Sequence, residues 1–369
     1  MKAVGIILAG GKKSSMGDLA SHRNVAAMPV GGAYRAVDFT LSNFSHSGIK
    51  KVALITQFNT RSLFDHISSS KWWNFGRKTS GLYIFTPHML NSDSLSFRGT
   101  ADSIFQNIAF LKKSNEPYVV ITSAEQVVSI DYTDVIKYHE EKGSDITMVC
   151  KDLGEADVRD YGVVSLDHNS RMLEFEEKPL FPQQSTISLG TYVIGRQLLI
   201  DLLEEVHCEG RFDFVLDILV RYRKKLVVNA YMFEGYWRTI KDVPEFYKLN
   251  MDFLNADVRN EIFEANGPVY TKPKDDPPVK YSSTCHVTNS ILNGGDIING
   301  TVENSVIFRD VFVGEGAIVK NSVIMEGCTI GNGAVVENMI LDKVVSVGEG
   351  QQLIGDPENI GVIAKRSIV

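Results

Sequence analysis

The sequence predicts an α/β domain with a mixed, mostly parallel sheet, followed by a parallel β-helix. Three observations lead there. Short apolar segments alternate with helical stretches from residue 1 to about 250, the pattern of strand–helix units around a parallel sheet. A proline-rich stretch of mixed charge, Tyr270–Ser283, then reads as an extended linker. Beyond it, apolar residues recur every six positions. The expected units are residues 1–252, a linker over 253–285, and a coiled domain over 286–369.

Within the first unit the strands are expected at Ala3–Leu8, Val52–Thr56, Tyr118–Thr122, Ile146–Cys150 and Leu226–Tyr231. Each is a short run of branched or aliphatic residues. Helices are expected at Thr60–Ser68, Ser103–Lys113, Thr133–Lys142 and Gln197–Val206. In open parallel sheets ligands bind beyond the carboxyl ends of the strands, which singles out the glycine turn after Leu8. Trp72-Trp73 reads as packing, and the Arg221–Lys225 basic run as a solvated helix end.

In the last unit Val306, Phe312, Ile318, Ile324, Ile330 and Val336 fall on one six-residue period, with Ile291 and Ile297 one residue out of phase. Turn residues fill the gaps, as in a β-helix whose coils bury their apolar positions only by stacking. Irregular hairpins are the competing interpretation. The phase meets a charge at Asp342, which predicts an end or bend there and leaves Gln351–Ile354 to cap or dock.

The chain has 369 residues, 44% hydrophobic and 22% charged, with a net charge of −7. No basic block stands out, so nucleic acid is not expected as a partner. No apolar run is long enough for a membrane helix, and the N-terminus reads as a strand and not as a signal peptide. The four cysteines are far apart and form no CxxC. That spacing argues against zinc and a disulfide framework, and for a reduced, cytoplasmic setting.

The order of motifs resembles the bacterial glucose-1-phosphate adenylyltransferase (ADP-glucose pyrophosphorylase) family. The blocks are LAGG (Leu8–Gly11), GGAYRAVDFTLSN (Gly31–Asn43), RGTADSIFQN (Arg98–Asn107), EFEEKP (Glu174–Pro179), SLGTYV (Ser188–Val193) and GYWR (Gly235–Arg238). The resemblance implies a nucleotidyltransferase-type Rossmann-like domain joined to a left-handed β-helix of hexapeptide repeats. It implies a reaction of ATP and glucose 1-phosphate that gives ADP-glucose and pyrophosphate, with Mg²⁺, in glycogen biosynthesis. It places Leu8, Gly10, Gly11, Gly99, Thr100 and Gln106 on the nucleotide side. It places Tyr161, Gly162, Glu177, Lys178, Ser188, Gly190 and Asp213 around the sugar phosphate.

Four departures matter. Where the family has the arginine that clamps the triphosphate, this chain has Ser15, with Lys13 at a glycine position. Where it has a site lysine, the chain has Val25. Its two metal-binding aspartates are replaced by Glu125 and Thr239. Mg²⁺ is usually held by one or two carboxylates plus phosphate oxygens, and Thr239 offers none. Lys12 and Lys13 are possible partial replacements for the missing charge, though a lysine is not a bidentate fork. Asp242 is an alternative, shifted ligand. At the family's activator-lysine position the residue is Ala33.

This pattern resembles the non-catalytic (GlgD-type) branch of that family. No catalytic or metal-ligating residue is then expected, nor a tightly held cofactor. The expected partners are a sugar phosphate and a catalytic glucose-1-phosphate adenylyltransferase homologue in a tetramer. The other two readings are an active nucleotidyltransferase with relocated metal ligands and a ligand-free scaffold.

Overall fold

The computed structural model describes residues 2–11, 14–76, 81–87 and 96–369. Lys12 and Lys13 lie outside the described residues. The first strand, Ala3–Ala9, is almost wholly buried, as expected for a continuous apolar run covered on both faces. It pairs in parallel with Lys51–Thr56 on one side and Tyr118–Ser123 on the other. Gly81–Phe85 extends the sheet in parallel beyond Lys51–Thr56.

The other half of this nine-stranded sheet is largely antiparallel. Thr186–Gly195 runs against both Tyr118–Ser123 and Ile146–Asp152. Gly162–Leu166 and Met172–Glu177 form a hairpin at the sheet's edge. The long strand bulges between Ser188 and Thr191, where Gly190 sits at φ 65°. Glycine adopts that conformation without the steric penalty a Cβ brings, and the bulge turns this segment into a pocket.

Helix Ala36–His46 follows no clear amphipathic pattern because every residue from Ala36 to Phe44 is buried. Asp38 fixes its start by accepting from the Arg35 amide at 2.9 Å. The single helix expected over Ser103–Lys113 is instead two, Thr100–Phe105 and Ile108–Lys112. At the break the Asn107 side chain donates to the Ser103 carbonyl at 2.8 Å, a local bond of the kind that competes with helix continuation. Trp73 is buried, its indole N–H donating to the Tyr270 carbonyl at 2.9 Å.

The region expected as linker carries structure at both ends. Asn255 caps a helix over Ala256–Glu264, with Ile262 buried. Lys280–Tyr281 already pairs in parallel with Ile297–Ile298, ahead of the expected start at 286. Three parallel ladders then stack into a β-helix, two of five strands and one of four.

Through the middle of the stack the coil repeat is 17 residues and not 18: Val306 pairs with Val323, and Ser305 bonds the Ser322 amide 17 residues on. A strict period of six therefore drifts from one side of the wall to the other. Phe312 is only partly buried and Ile318 is exposed, while Val313 and Val319 point inward. From Ile324 onward, Ile324, Ile330 and Val336 are themselves the interior residues. Asp342 does not end the stack. It is a buried residue one position past the interior Leu341, and further strands follow at Ser346–Val347, Gln352–Ile354 and Gly361–Ile363. Gln352–Ile354 pairs with Val335–Glu337 as the last strand of its ladder, so it closes that wall and leaves its other edge unpaired.

The four-stranded wall is apolar on both sides. Ile307, Ile324 and Leu341 face the coil interior. Val306, Val323 and Ile340 share a second core with Phe246, Leu249 and Phe253. The Tyr247 hydroxyl donates to the Asn321 carbonyl at 2.7 Å. Each aliphatic side chain covered in this way contributes about 1.5–3 kcal/mol, so the two parts share a hydrophobic seam. No described helix is long and apolar enough to cross a membrane.

Asp296 gives the coil a pH dependence. It is buried and accepts from the Asn293 and Val311 amides at 2.8 and 2.9 Å. Desolvation pushes its carboxyl up to about 7, against those two amides. The unfolded value is ~3.9, so the native state holds the proton longer. The stability this confers is full below that value and is lost as pH rises through about 7. The thermal midpoint should fall between pH ~4 and ~7, and Asp296→Asn, titrated by calorimetry, should flatten that slope.

Candidate functional site

The carboxyl ends of the parallel strands converge on a cleft of about 460 Å³. Leu8, Gly10 and Gly11 line it from the first strand, with Gln57, the Phe97–Thr100 segment, Ser123, Glu125 and Asp213 opposite. Gln57 escaped the sequence reading, yet it ties the walls together. Its amide donates to the Gly10 carbonyl at 3.0 Å and accepts from the Phe97 amide at 2.9 Å. Its position directly after a parallel strand was the available signal.

Gly99 is required by close approach. A Cβ there would lie 2.3 Å from the Phe212 carbonyl oxygen, which the Ala101 and Asp102 amides use at 2.8 and 3.1 Å. Gln106 does not line the cleft. Its amide donates to Asp102 at 2.9 Å, and the same carboxylate oxygen accepts from the Arg98 amide at 2.8 Å. Gln106 therefore braces the loop from behind.

A second pocket of about 230 Å³ adjoins the cleft at Ser123. Tyr161, Gly162, Glu177, Ser188 and Gly190 meet there, with Asp160, Gln126, Trp237 and Thr239. The Trp237 indole donates to Gln126 at 2.7 Å and packs edge-on to Tyr161. Partial shielding raises the Glu177 carboxyl, with Lys178 opposing and Asp213 adding to the rise.

Two residues expected around the sugar lie elsewhere. Lys178 is exposed at a turn with φ 49°, its amide bonded to the Tyr161 carbonyl at 3.0 Å, and does not line the pocket. Asp213 lines the nucleotide-side cleft, where its carboxylate accepts from the Leu216 amide at 2.8 Å.

The four substituted positions are built into the surrounding structure. Ser15 donates to the Lys241 carbonyl at 2.5 Å. Val25 is 2% exposed, in one core with Met16, Leu19 and Met28. The Glu125 main-chain carbonyl accepts from Ile240 N–H at 2.8 Å and from the Thr239 hydroxyl at 3.1 Å. Glu125 is 8% exposed, and its carboxylate faces Gly11 across the cleft. Asp242, the alternative ligand, is committed as a helix cap, accepting from the Glu245 amide at 2.8 Å. Among the described residues no three His, Cys, Asp or Glu side chains group as a metal site. Of the two substituted metal positions only Glu125 offers a carboxylate, so a Mg²⁺ here would rest on Glu125 and on the phosphate oxygens of a bound nucleotide.

A third cavity lies between the first domain and the coil. Arg35, Lys272, Lys274, Arg309 and Lys343 line it with Ala33 and Glu326. Against the upward push of burial, Lys343 and Lys274 hold the Glu326 carboxyl at about 2.

A nucleotidyl transferase family profile matches residues 4–256, and a GlmU-like C-terminal hexapeptide profile matches residues 277–360. A glucose-1-phosphate adenylyltransferase of Geobacillus stearothermophilus is 32% identical over 321 residues, 86% of this chain and 83% of its own. One from Bacillus cereus is 33% identical over 323 residues, 86% and 85% of the two chains. One from Thermosipho africanus is 34% identical over 318 residues, 86% and 77%. With the nucleotidyltransferase sheet, the hexapeptide coil and a third of the residues shared over most of each length, this chain belongs to the glucose-1-phosphate adenylyltransferase family.

Proposed function

We propose that this chain is a catalytically impaired, regulatory subunit of glucose-1-phosphate adenylyltransferase in glycogen biosynthesis. In this reading it binds a sugar phosphate and modulates a catalytic homologue within a cytoplasmic hetero-oligomer, a tetramer. One observation carries it. Ser15, Val25 and Thr239 are engaged in tethers or core packing, while Tyr161, Glu177, Ser188 and Gly190 still enclose a pocket. A chain that had become pure scaffold would have no reason to keep these polar groups around the sugar-side pocket. A partner of this kind acts by making different contacts in the two states of the catalytic subunit.

The second reading is an active nucleotidyltransferase making ADP-glucose with relocated ligands. It draws on Arg98 and the Glu125 carboxylate, which still line the cleft. The discriminating experiment co-expresses this chain with a catalytic homologue and compares each protein alone with the complex, by light scattering and kinetics. The regulatory reading expects one mixed assembly with an altered rate or effector response. Two separate homo-oligomers with unchanged kinetics would refute it.

A further inference from the structure

The sugar-side pocket has acidic walls and no basic one. Asp160 and Glu177 line it, and none of its lining residues is Lys, Arg or His. A phosphate monoester entering such a pocket meets repulsion unless a cation is supplied. The resemblance makes Lys178 the expected source, and here it is exposed at a turn outside the pocket lining.

One other cation stands at the rim. Lys241 lies two residues beyond Thr239, just past the end of the strand Trp237–Thr239. Its ammonium bonds Asp160 Oδ2 at 2.7 Å and lies 4.8 Å from the centre of the Tyr161 ring. Asp160, Tyr161 and Thr239 all line the pocket. Its main-chain carbonyl is held by the Ser15 hydroxyl. The residue in place of the clamp arginine thus anchors the segment that carries this lysine.

The geometry points to Lys241 as a built-in phosphate-binding cation, which makes recognition of a sugar phosphate at this pocket independent of a divalent metal. The inference rests on the sugar-phosphate reading above. Asp160 is its internal counter-ion in the empty pocket, and an incoming phosphate dianion displaces that carboxylate. The exchange is favourable because Asp160 is more than half exposed and returns to water, whereas Lys241 is only 24% exposed. The aromatic face of Tyr161 keeps the ammonium in place during the exchange.

Calorimetry with glucose 1-phosphate and with glucose, each with Mg²⁺ and with EDTA, tests it. The wild-type protein should bind glucose 1-phosphate equally well in both buffers. Lys241→Met keeps the alkyl packing on Tyr161 and should weaken glucose 1-phosphate by about tenfold or more, the scale of one charge-assisted bond, while leaving glucose unchanged. Lys241→Arg should retain most of the affinity. Asp160→Asn should strengthen binding several-fold, and that gain should vanish in Asp160→Asn/Lys241→Met. Unchanged affinity in Lys241→Met, or binding abolished by EDTA, would overturn the role of Lys241 and leave the sugar-phosphate reading standing. A wild-type protein that takes up no glucose 1-phosphate in either buffer would overturn both.

Discussion

Purified away from any host enzyme, this protein should make ADP-glucose at least ~10³-fold more slowly than a catalytic relative. A typical enzyme turns over near ~10 s⁻¹, so the expected rate is about 10⁻² s⁻¹ or less. Phosphoryl chemistry of this kind depends on positioning and on neutralising charge, and removal of an arginine that stabilises the moving phosphate costs about 10³–10⁵-fold. Displacing a carboxylate by ~1 Å adds about 10². These penalties overlap and are not multiplied. Position 15 carries a serine tied to the Lys241 carbonyl, and position 239 a threonine tied to the Glu125 carbonyl. Neither hydroxyl can donate to a phosphate without first breaking a bond to the fold, and neither supplies the charge of the residue it replaces.

Ser15→Arg/Glu125→Asp/Thr239→Asp should regain about tenfold or more over the wild-type rate, because the surrounding cleft is intact. Val25 is left out deliberately. At 2% exposure among Met16, Leu19 and Met28, a lysine there would be buried without a partner, which destabilises by several kcal/mol or forces the lysine neutral. Turnover of the wild-type protein near ~10 s⁻¹ in a radiolabel assay would refute the impaired reading. A folded triple variant with no gain would place further losses elsewhere in the site.

The second large effect concerns the seam between the two parts. Arg23 and Asp342 are 5% and 1% exposed and pair at 2.5 Å. Removing one partner of a buried pair leaves an uncompensated charge and costs about 3–5 kcal/mol. Asp342 also accepts from the Lys343 amide at 2.6 Å, so Arg23→Ala should fall at the lower end, about 3 kcal/mol. Arg23→Ala/Asp342→Asn removes the stranded charge and should recover much of that loss. Urea denaturation followed by intrinsic fluorescence measures both. A change in Arg23→Ala below about 1 kcal/mol, the scale of an exposed pair, would mean that water reaches the seam.

Much of the fold was legible from local pattern. The apolar runs located the strands at Ala3, Lys51, Tyr118 and Ile146 to within a residue of their starts. The recurring hexads identified the coil, because a strand's inward positions must be apolar wherever it lies. The glycine turn after Leu8 located the cleft, since a parallel sheet opens at its carboxyl edge.

What only the tertiary structure decided depends on partners far away in the chain. The repeat of 17 residues in the central coils shows which of two adjacent apolar residues faces inward, and in the four-stranded wall both are buried because helices cover the outside. A sequence pattern records that a side chain is apolar, not which surface covers it. Asp342 read as a break because its partner, Arg23, is 319 residues away. Helix Ala36–His46 showed no stripe because it is buried on all sides. Around the sites, motif order grouped Gln106, Lys178 and Asp213 with their neighbours, but the direction of each side chain was settled by Asp102, by a turn at positive φ and by the Leu216 amide. Lys241 is the sharpest case. Its sequence neighbours say only that a strand is ending, and its placement beside Asp160 and Tyr161 follows from contacts about 80 residues away that no local period encodes.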